Sequence, residues 1–319
     1  MTYATTNSVR AMMPRLDVLA LGEPMVEFSQ IPGDPGRYLH GFGGDTMNAA
    51  IAAARQGARA GYVTRLGDDE FGRELLEFWR GEGLDATGVA VDPDAPTAVY
   101  FITHGPEGHV FSYRRAGSAA SRMRPSDVPL DLIAGARCLH VSGISQAISA
   151  NACDAVFAAI EHARANGVQV SYDSNLRLKL WPLARARAVT NATAGMADCF
   201  LPSLEDARVL SGLEAPEAIL DWALRLGAKQ VALKLGADGV LASDGVRTER
   251  IGGHVVEFVD ASGAGDCFAG SLLARLAAGD DFWTGVRYAN AAAALNCTGY
   301  GAVAHLPRPA AVQALLAKG

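Results

Sequence analysis

Short β-branched or apolar runs alternate with longer alanine-rich stretches of helical period along most of this chain, and that alternation constrains the fold more than any other feature. Leu16 to Leu21, Ala60 to Thr64, Cys138 to Val141, Val168 to Tyr172, Cys199 to Leu201 and Val231 to Lys234 read as strands. Each is separated from the next by enough sequence for a crossover, and a helix from about Met47 to Gln56 is closed by Gly57. Repeated units of this kind build a mainly parallel, helix-covered sheet. Two segments break the rhythm. Thr97 to Arg115 holds two strand-like runs around Gly105-Pro106-Glu107-Gly108, with no room for a helix between them, and reads as an antiparallel hairpin. Pro24 to Phe42, with several Gly and Pro, could add strands to the same appendage. The expected architecture is α/β: a doubly wound core over residues 16–319 with a small β lid from about 24–42 and 97–115, after a tail over residues 1–15.

Half of the 319 residues are hydrophobic, enough for a sizeable core and too many for a disordered chain. The formal charge of −6 argues against a nucleic-acid partner, so local cations must meet any anionic ligand. Cys138, Cys153, Cys199, Cys267 and Cys297 are odd in number and widely spaced, which fits neither a disulfide framework nor a zinc site and points to a reducing cytoplasm. No apolar run has transmembrane length, and the first fourteen residues lack the apolar stretch of a signal peptide, so no membrane partner is expected.

The segment Val259 to Asp266 leaves an extended run and opens directly into the helical pattern Cys267 to Ala278. Gly263, Ala264 and Gly265 let backbone N–H groups converge at a helix N-terminus, where unpaired donors and the helix dipole attract phosphate or a developing negative charge. Asp266 beside them is either a functional carboxylate or a first-turn acid that caps the helix. The next glycine is Gly270, so the dinucleotide fingerprint fails, and no Gly-Lys-Ser/Thr occurs for a P-loop. Near the other end, Gly43-Gly44-Asp45-Thr46-Met47-Asn48 sets paired glycines before a helix, with Asp45 and Asn48 as hydroxyl partners or as capping residues. His104 and His109 flank the hairpin turn as a candidate metal pair, with no further ligand nearby in sequence.

Asp260-x-x-Gly263-Ala264-Gly265-Asp266, followed by Phe268 and Gly270, resembles the signature of the ribokinase-like (PfkB) sugar kinases, and Gly43 to Asn48 resembles their N-terminal Gly-Gly loop. Within that family Gly22-Glu23-Pro24, Tyr113-Arg114-Arg115 before Gly117 to Ala120, His140 to Ile144, and Asp173-Ser174-Asn175-Leu176-Arg177 with Trp181-Pro182 are most similar to the 2-keto-3-deoxygluconate kinases. The resemblance implies a ribokinase-like three-layer core and ATP-dependent phosphorylation of the terminal hydroxyl of a sugar acid, 2-keto-3-deoxygluconate, to its 6-phosphate. It implies Asp266 as the base, with Gly263, Ala264 and Gly265 as the anion hole. Gly43, Gly44, Asp45, Asn48, Tyr100, Ser112, Tyr113, Arg114 and Arg177 would meet the sugar acid. Asn175, Arg177, Lys234, Gly236, Gly239 and Asn290 would meet ATP. Mg²⁺ is implied, with Asp206 in place of the family's Glu and Ser203 in place of its Asn, and a monovalent cation is allowed. The lid offers a surface for a homo-oligomer. Two rivals stand beside this reading: a kinase for a neutral sugar such as fructose, and a catalytically silent nucleotide sensor on the same fold. Hairpin register matters, because pairing Tyr100 with Tyr113 turns Arg114 to the opposite face of the lid, whereas a shift by one residue places Arg114 beside Tyr100.

Overall fold

A mainly parallel sheet of nine strands runs through the computed structural model, which describes residues 15–31, 33–105 and 108–318. In chain order the strands are β1 (Val18–Leu21), β2 (Met25–Ile31), β3 (Asp34–Gly43), β4 (Ala60–Gly67), β5 (Asp85–Asp92), β6 (Ala98–Gly105), β7 (Gly108–Arg114), β8 (Cys138–Ser142), β9 (Gln169–Asp173), β10 (Cys199–Phe200), β11 (Gln230–Lys234), β12 (Val240–Ser243) and β13 (Thr248–Ile251). The large sheet has the order β13-β12-β11-β10-β9-β8-β1-β4-β5. Its strands are parallel from β5 to β11, and β12 and β13 close one edge antiparallel. β1 and β8 are buried along their whole length, as expected for strands covered on both faces; β1 is apolar throughout, and β8 buries His140 and Ser142 among its apolar residues.

From β1 the chain winds outward to β4 and β5, then resumes on the other side with β8 and proceeds to β11. The order therefore reverses between β1 and β8, and ligands of open α/β sheets bind beyond the carboxyl ends of the strands at such a switch point. One face of the sheet carries the helix Ala150–Ala165, whose Ala155, Val156, Ala159 and Ile160 pack on Leu139, Val141 and Val170. The other carries the helices Asp45–Arg55, Ala264–Ala277 and Phe282–Asn296.

β3, β2, β6 and β7 form a separate four-stranded sheet, the lid, in that order. The residues 24–42 thus contribute β2 and β3, and the hairpin is β6 and β7. Its ladder pairs Tyr100 with Tyr113 and Val99 with Arg114, and runs out to Gly105 opposite Gly108. The turn residues Pro106 and Glu107, the side chains of His104 and His109, and the tail over residues 1–14 lie outside the described residues.

Candidate active site

Two helix N-termini converge on the carboxyl end of the sheet. The first belongs to Asp45–Arg55, whose N-cap Gly44 has φ 130°. A Cβ on Gly44 would meet Glu23 O at 2.5 Å, so both its backbone angle and its close approach require glycine. The second belongs to Ala264–Ala277, entered through Gly263 at φ 73°. These helices cross at Gly270, where an added Cβ would overlap Ala49 O. That contact brings Asn48 Nδ2 within 2.8 Å of Asp266 Oδ2 across 218 residues of sequence.

Between the helix ends and the lid opens a cleft of about 790 Å³. Asp45, Asn48, Asp173 and Asp266 form its centre. Met25, Glu27, Tyr100, Ile102, Phe111, Tyr113 and Arg115 form its lid wall, and Lys234, Gly236, Gly239 and Asn290 its far wall. Asn175 donates to Asp45 Oδ2 at 2.9 Å and holds φ 27°, the one positive φ outside glycine among the described residues. Lys234 Nζ lies 2.5 Å from Asp173 Oδ2, in an ion pair between the carboxyl ends of β11 and β9, across the intervening β10. Asn290 is tied to Gly252 O at 2.8 Å.

The N–H of Ala264 is spent on Ala261 O at 3.1 Å. The anion hole is therefore narrower than the motif implies, and the first-turn N–H groups left for a ligand are those of Gly265 and Asp266. Burial, and then the negative charge of Asp45, push the Asp266 carboxyl up to about 7, while the hydrogen bond from Asn48 and the charge of Lys234 act the other way. A base at Asp266 is ionised above that value. We expect kcat/KM to fall as pH drops through about 7. The Asp45→Asn variant should move the inflection to lower pH, because the charge that raises the carboxyl is gone; a pH–rate profile reads both, and an unmoved inflection would dissociate Asp266 from the titration.

Most of the residues singled out in the sequence meet at this cleft: Gly44, Asp45, Asn48, Tyr100, Tyr113, Asn175, Arg177, Asp206, Lys234, Gly236, Gly239, Asn290 and the Gly263 to Asp266 turn all line it. Three do not. Gly43 lies behind Tyr100, whose ring and hydroxyl occupy the space a side chain would need. Ser112 and Arg114 are exposed on the opposite face of the lid, since the Tyr100–Tyr113 pairing sends alternate residues of β7 outward. Arg115, two residues beyond Tyr113 along the chain, lines the cleft instead, with its guanidinium 5.5 Å from the centre of the Tyr113 ring. Sequence reasoning also missed Glu27 on β2, which accepts a hydrogen bond from the Tyr100 hydroxyl, and Asp173, which lay inside a recognised stretch and ends β9.

Asp206 is largely buried and accepts from Leu176 N at 2.9 Å; burial raises its carboxyl above the ordinary aspartate value. Ser203 is occupied as the N-cap of the helix Leu204–Ser211, accepting from Asp206 N at 3.1 Å. Among the described residues no three His, Cys, Asp or Glu side chains gather into a metal cage. One or two carboxylates without a cage suit Mg²⁺, which keeps several waters and is carried largely by substrate phosphates.

The chain belongs to the pfkB family of carbohydrate kinases, whose family model matches residues 16–309. It is 34% identical to a 2-dehydro-3-deoxygluconokinase of Thermoproteus tenax, over 94% of each chain. It is 31% identical to fructokinase-2 of Solanum habrochaites, over 95% of this chain and 96% of that one. Among solved structures, a putative ribokinase II from E. coli in complex with ATP and Mg²⁺ superposes with a TM-score of 0.87 at 26% identity, covering 95% of this chain and 99% of the other. The ribokinase-like α/β fold with its lid is thus the family's. No helix among the described residues is long and apolar enough to cross a membrane.

Proposed function

We propose that this carbohydrate kinase transfers the γ-phosphoryl group of ATP to the terminal hydroxyl of a sugar acid, 2-keto-3-deoxygluconate, giving the 6-phosphate. The observation that carries the reading is the presence of cations, Arg115 and Arg177, on a cleft whose centre is otherwise acidic with Asp45, Asp173 and Asp266. A guanidinium fork suits a carboxylate, and an acidic centre would repel one that had no cation to meet it.

In this reading the sugar lies under the lid wall, and the nucleotide lies along the far wall by Lys234, Gly236, Gly239 and Asn290. Asp266 accepts the proton of the hydroxyl. The hydroxyl oxygen forms its bond to the γ-phosphorus as the bond to the β–γ bridging oxygen breaks, and ADP leaves. The N–H groups of Gly265 and Asp266, with Lys234 beside Gly265, stabilise the charge on the transferring group, and closure of the lid keeps water out. Mg²⁺, when bound, would neutralise phosphate charge, with Asp206 and Glu205 the carboxylates on that side of the cleft.

A neutral sugar is favoured by a different observation: the charge of Arg115 is already paired with Glu23. Steady-state rates over a panel of sugar acids and neutral ketoses separate the two. We expect a higher kcat/KM for 2-keto-3-deoxygluconate than for fructose. Arg115→Met should raise KM for the acid by roughly 10- to 100-fold, the loss of a charge-assisted hydrogen bond. Arg114→Ala, on the outer face, should leave it within about twofold. Preference for fructose in the wild type would overturn the sugar-acid reading.

A further inference from the structure

Glu23 follows β1 at the switch point, where the chain leaves the core for the lid, and its side chain is fully buried. One carboxylate oxygen accepts from Arg115 Nε at 2.7 Å and also meets Nη2 of the same guanidinium. The other oxygen accepts from the Ser118 hydroxyl. Ser118 is itself held, accepting from Ser121 N at 3.2 Å. Arg115 and Ser118 lie just after β7, where the lid returns to the core, so the pair joins the two ends of the lid's connection to the sheet. Arg115 turns Nε and Nη2 of its guanidinium to Glu23, and the residue also lines the cleft. The proton transfer and the anion hole use none of the three residues.

We infer that Glu23 is a positioning residue that sets substrate selectivity: it fixes Arg115 against the sugar end of the cleft and cancels part of its charge. How strongly the site takes a carboxylate then depends on the Glu23–Arg115 pair and not on Arg115 alone. A carboxylate arriving at Arg115 feels the guanidinium at close range and, a few ångströms behind it, the opposing charge of Glu23 in a region from which water is largely excluded. The pair therefore tempers a contact that would otherwise hold sugar acid and phosphorylated product tightly, while leaving Nη1, the one guanidinium nitrogen not turned to Glu23, to donate to the acid. A neutral sugar feels little of either charge. This inference rests on the sugar-acid reading, which supplies the carboxylate.

Glu23→Gln tests it with the shape kept. The amide oxygen can accept from both guanidinium nitrogens and the amide nitrogen can donate to Ser118 Oγ, so the hydrogen bonds survive and only the charge is removed. KM is measured for 2-keto-3-deoxygluconate, fructose and ATP in the wild type, in Glu23→Gln, in Arg115→Met and in the double variant, each checked by a thermal melt. The expected result is a KM for the sugar acid lowered about tenfold by Glu23→Gln, with fructose and ATP within about twofold and no further effect in the Arg115→Met background. Ser118→Ala gives a second arm should Glu23→Gln fold poorly. It strips a hydrogen bond that favours the ionised carboxylate, and it should lower the sugar-acid KM in the same sense by a smaller factor. An unchanged or raised sugar-acid KM, a parallel shift of all three KM values, or an effect that persists without Arg115 overturns the role of Glu23. A wild type without preference for the acid overturns the sugar-acid reading itself, whatever the variants do.

Discussion

Replacing Asp266 by Asn should lower turnover by roughly 10²–10⁴-fold while affinity for ATP stays within a few-fold. Asn keeps the size of the side chain and can still meet Asn48, but it cannot take a proton from a hydroxyl. The backbone donors of the helix N-terminus are untouched. The same substitution carries an opposite expectation for stability. Burial and the charges of Asp45 and Asp173 raise the carboxyl from 3.8 to about 7 in the fold. The native state therefore binds the proton more tightly than the unfolded chain. The stability this group contributes is fully present below about pH 4 and is lost as pH rises through about 7. Asp266→Asn removes that dependence, so above pH 7 the inactive variant should melt at a higher temperature than the wild type, with the difference closing toward acid pH. A helix cap would behave otherwise, because Asn caps as well as Asp and the substitution would be silent in both assays. Rates at saturating sugar acid and ATP, set beside melts at two pH values, distinguish the two.

The second large effect is expected from one methyl group at Gly270. The helices Asp45–Arg55 and Ala264–Ala277 touch there so closely that a Cβ would overlap Ala49 O and lie 2.7 Å from the Ala52 Cβ. Neither helix can yield without disturbing the sheet face beneath it, so Gly270→Ala should destabilise the fold by about 1–3 kcal/mol, lowering the melting temperature by several degrees. It should also slow turnover in the molecules that remain folded, because separating the helices lengthens the 2.8 Å bond by which Asn48 orients Asp266. Gly81 supplies the control. It lies near the end of the helix Glu70–Glu82, and an added Cβ there meets nothing within 4 Å. Gly81→Ala should leave turnover unchanged and stabilise by up to about 1 kcal/mol through helix propensity. Equal effects at the two glycines would remove the helix crossing from the account of the site.

The core was legible because its central strands are buried on both faces and are rich in apolar residues, without a break in Val18–Leu21 and around His140 in Cys138–Ser142. The strands not assigned in the sequence have weaker signals for identifiable reasons. Asp85–Asp92 is only partly buried at the sheet's edge, and Val240–Ser243 and Thr248–Ile251 are four residues each and pair antiparallel, outside the crossover rhythm. The glycine-rich turns at Gly44 and Gly263 announced themselves, since both need backbone angles that other residues resist. The lid wall did not. Which face of β7 meets the cleft depends on hairpin register, and composition on either side of Gly105 to Gly108 leaves that open. Once Tyr100 pairs with Tyr113, Arg114 turns outward and Arg115 takes the inner position. Glu23 was visible only as part of a recognised Gly-Glu-Pro stretch. Its partner Arg115 is 92 residues away, a distance no local pattern spans.

In the proposed reaction the cleft moves a phosphoryl group onto the terminal hydroxyl of a sugar acid and keeps water from taking it. Phosphorus NMR of the products from ATP, Mg²⁺ and 2-keto-3-deoxygluconate tests that most directly. One new phosphomonoester, coupled to the protons of the terminal carbon, is expected to form in step with ADP and without free phosphate. ADP accompanied by inorganic phosphate alone, or a spectrum unchanged with the sugar acid but altered with fructose, would contradict it.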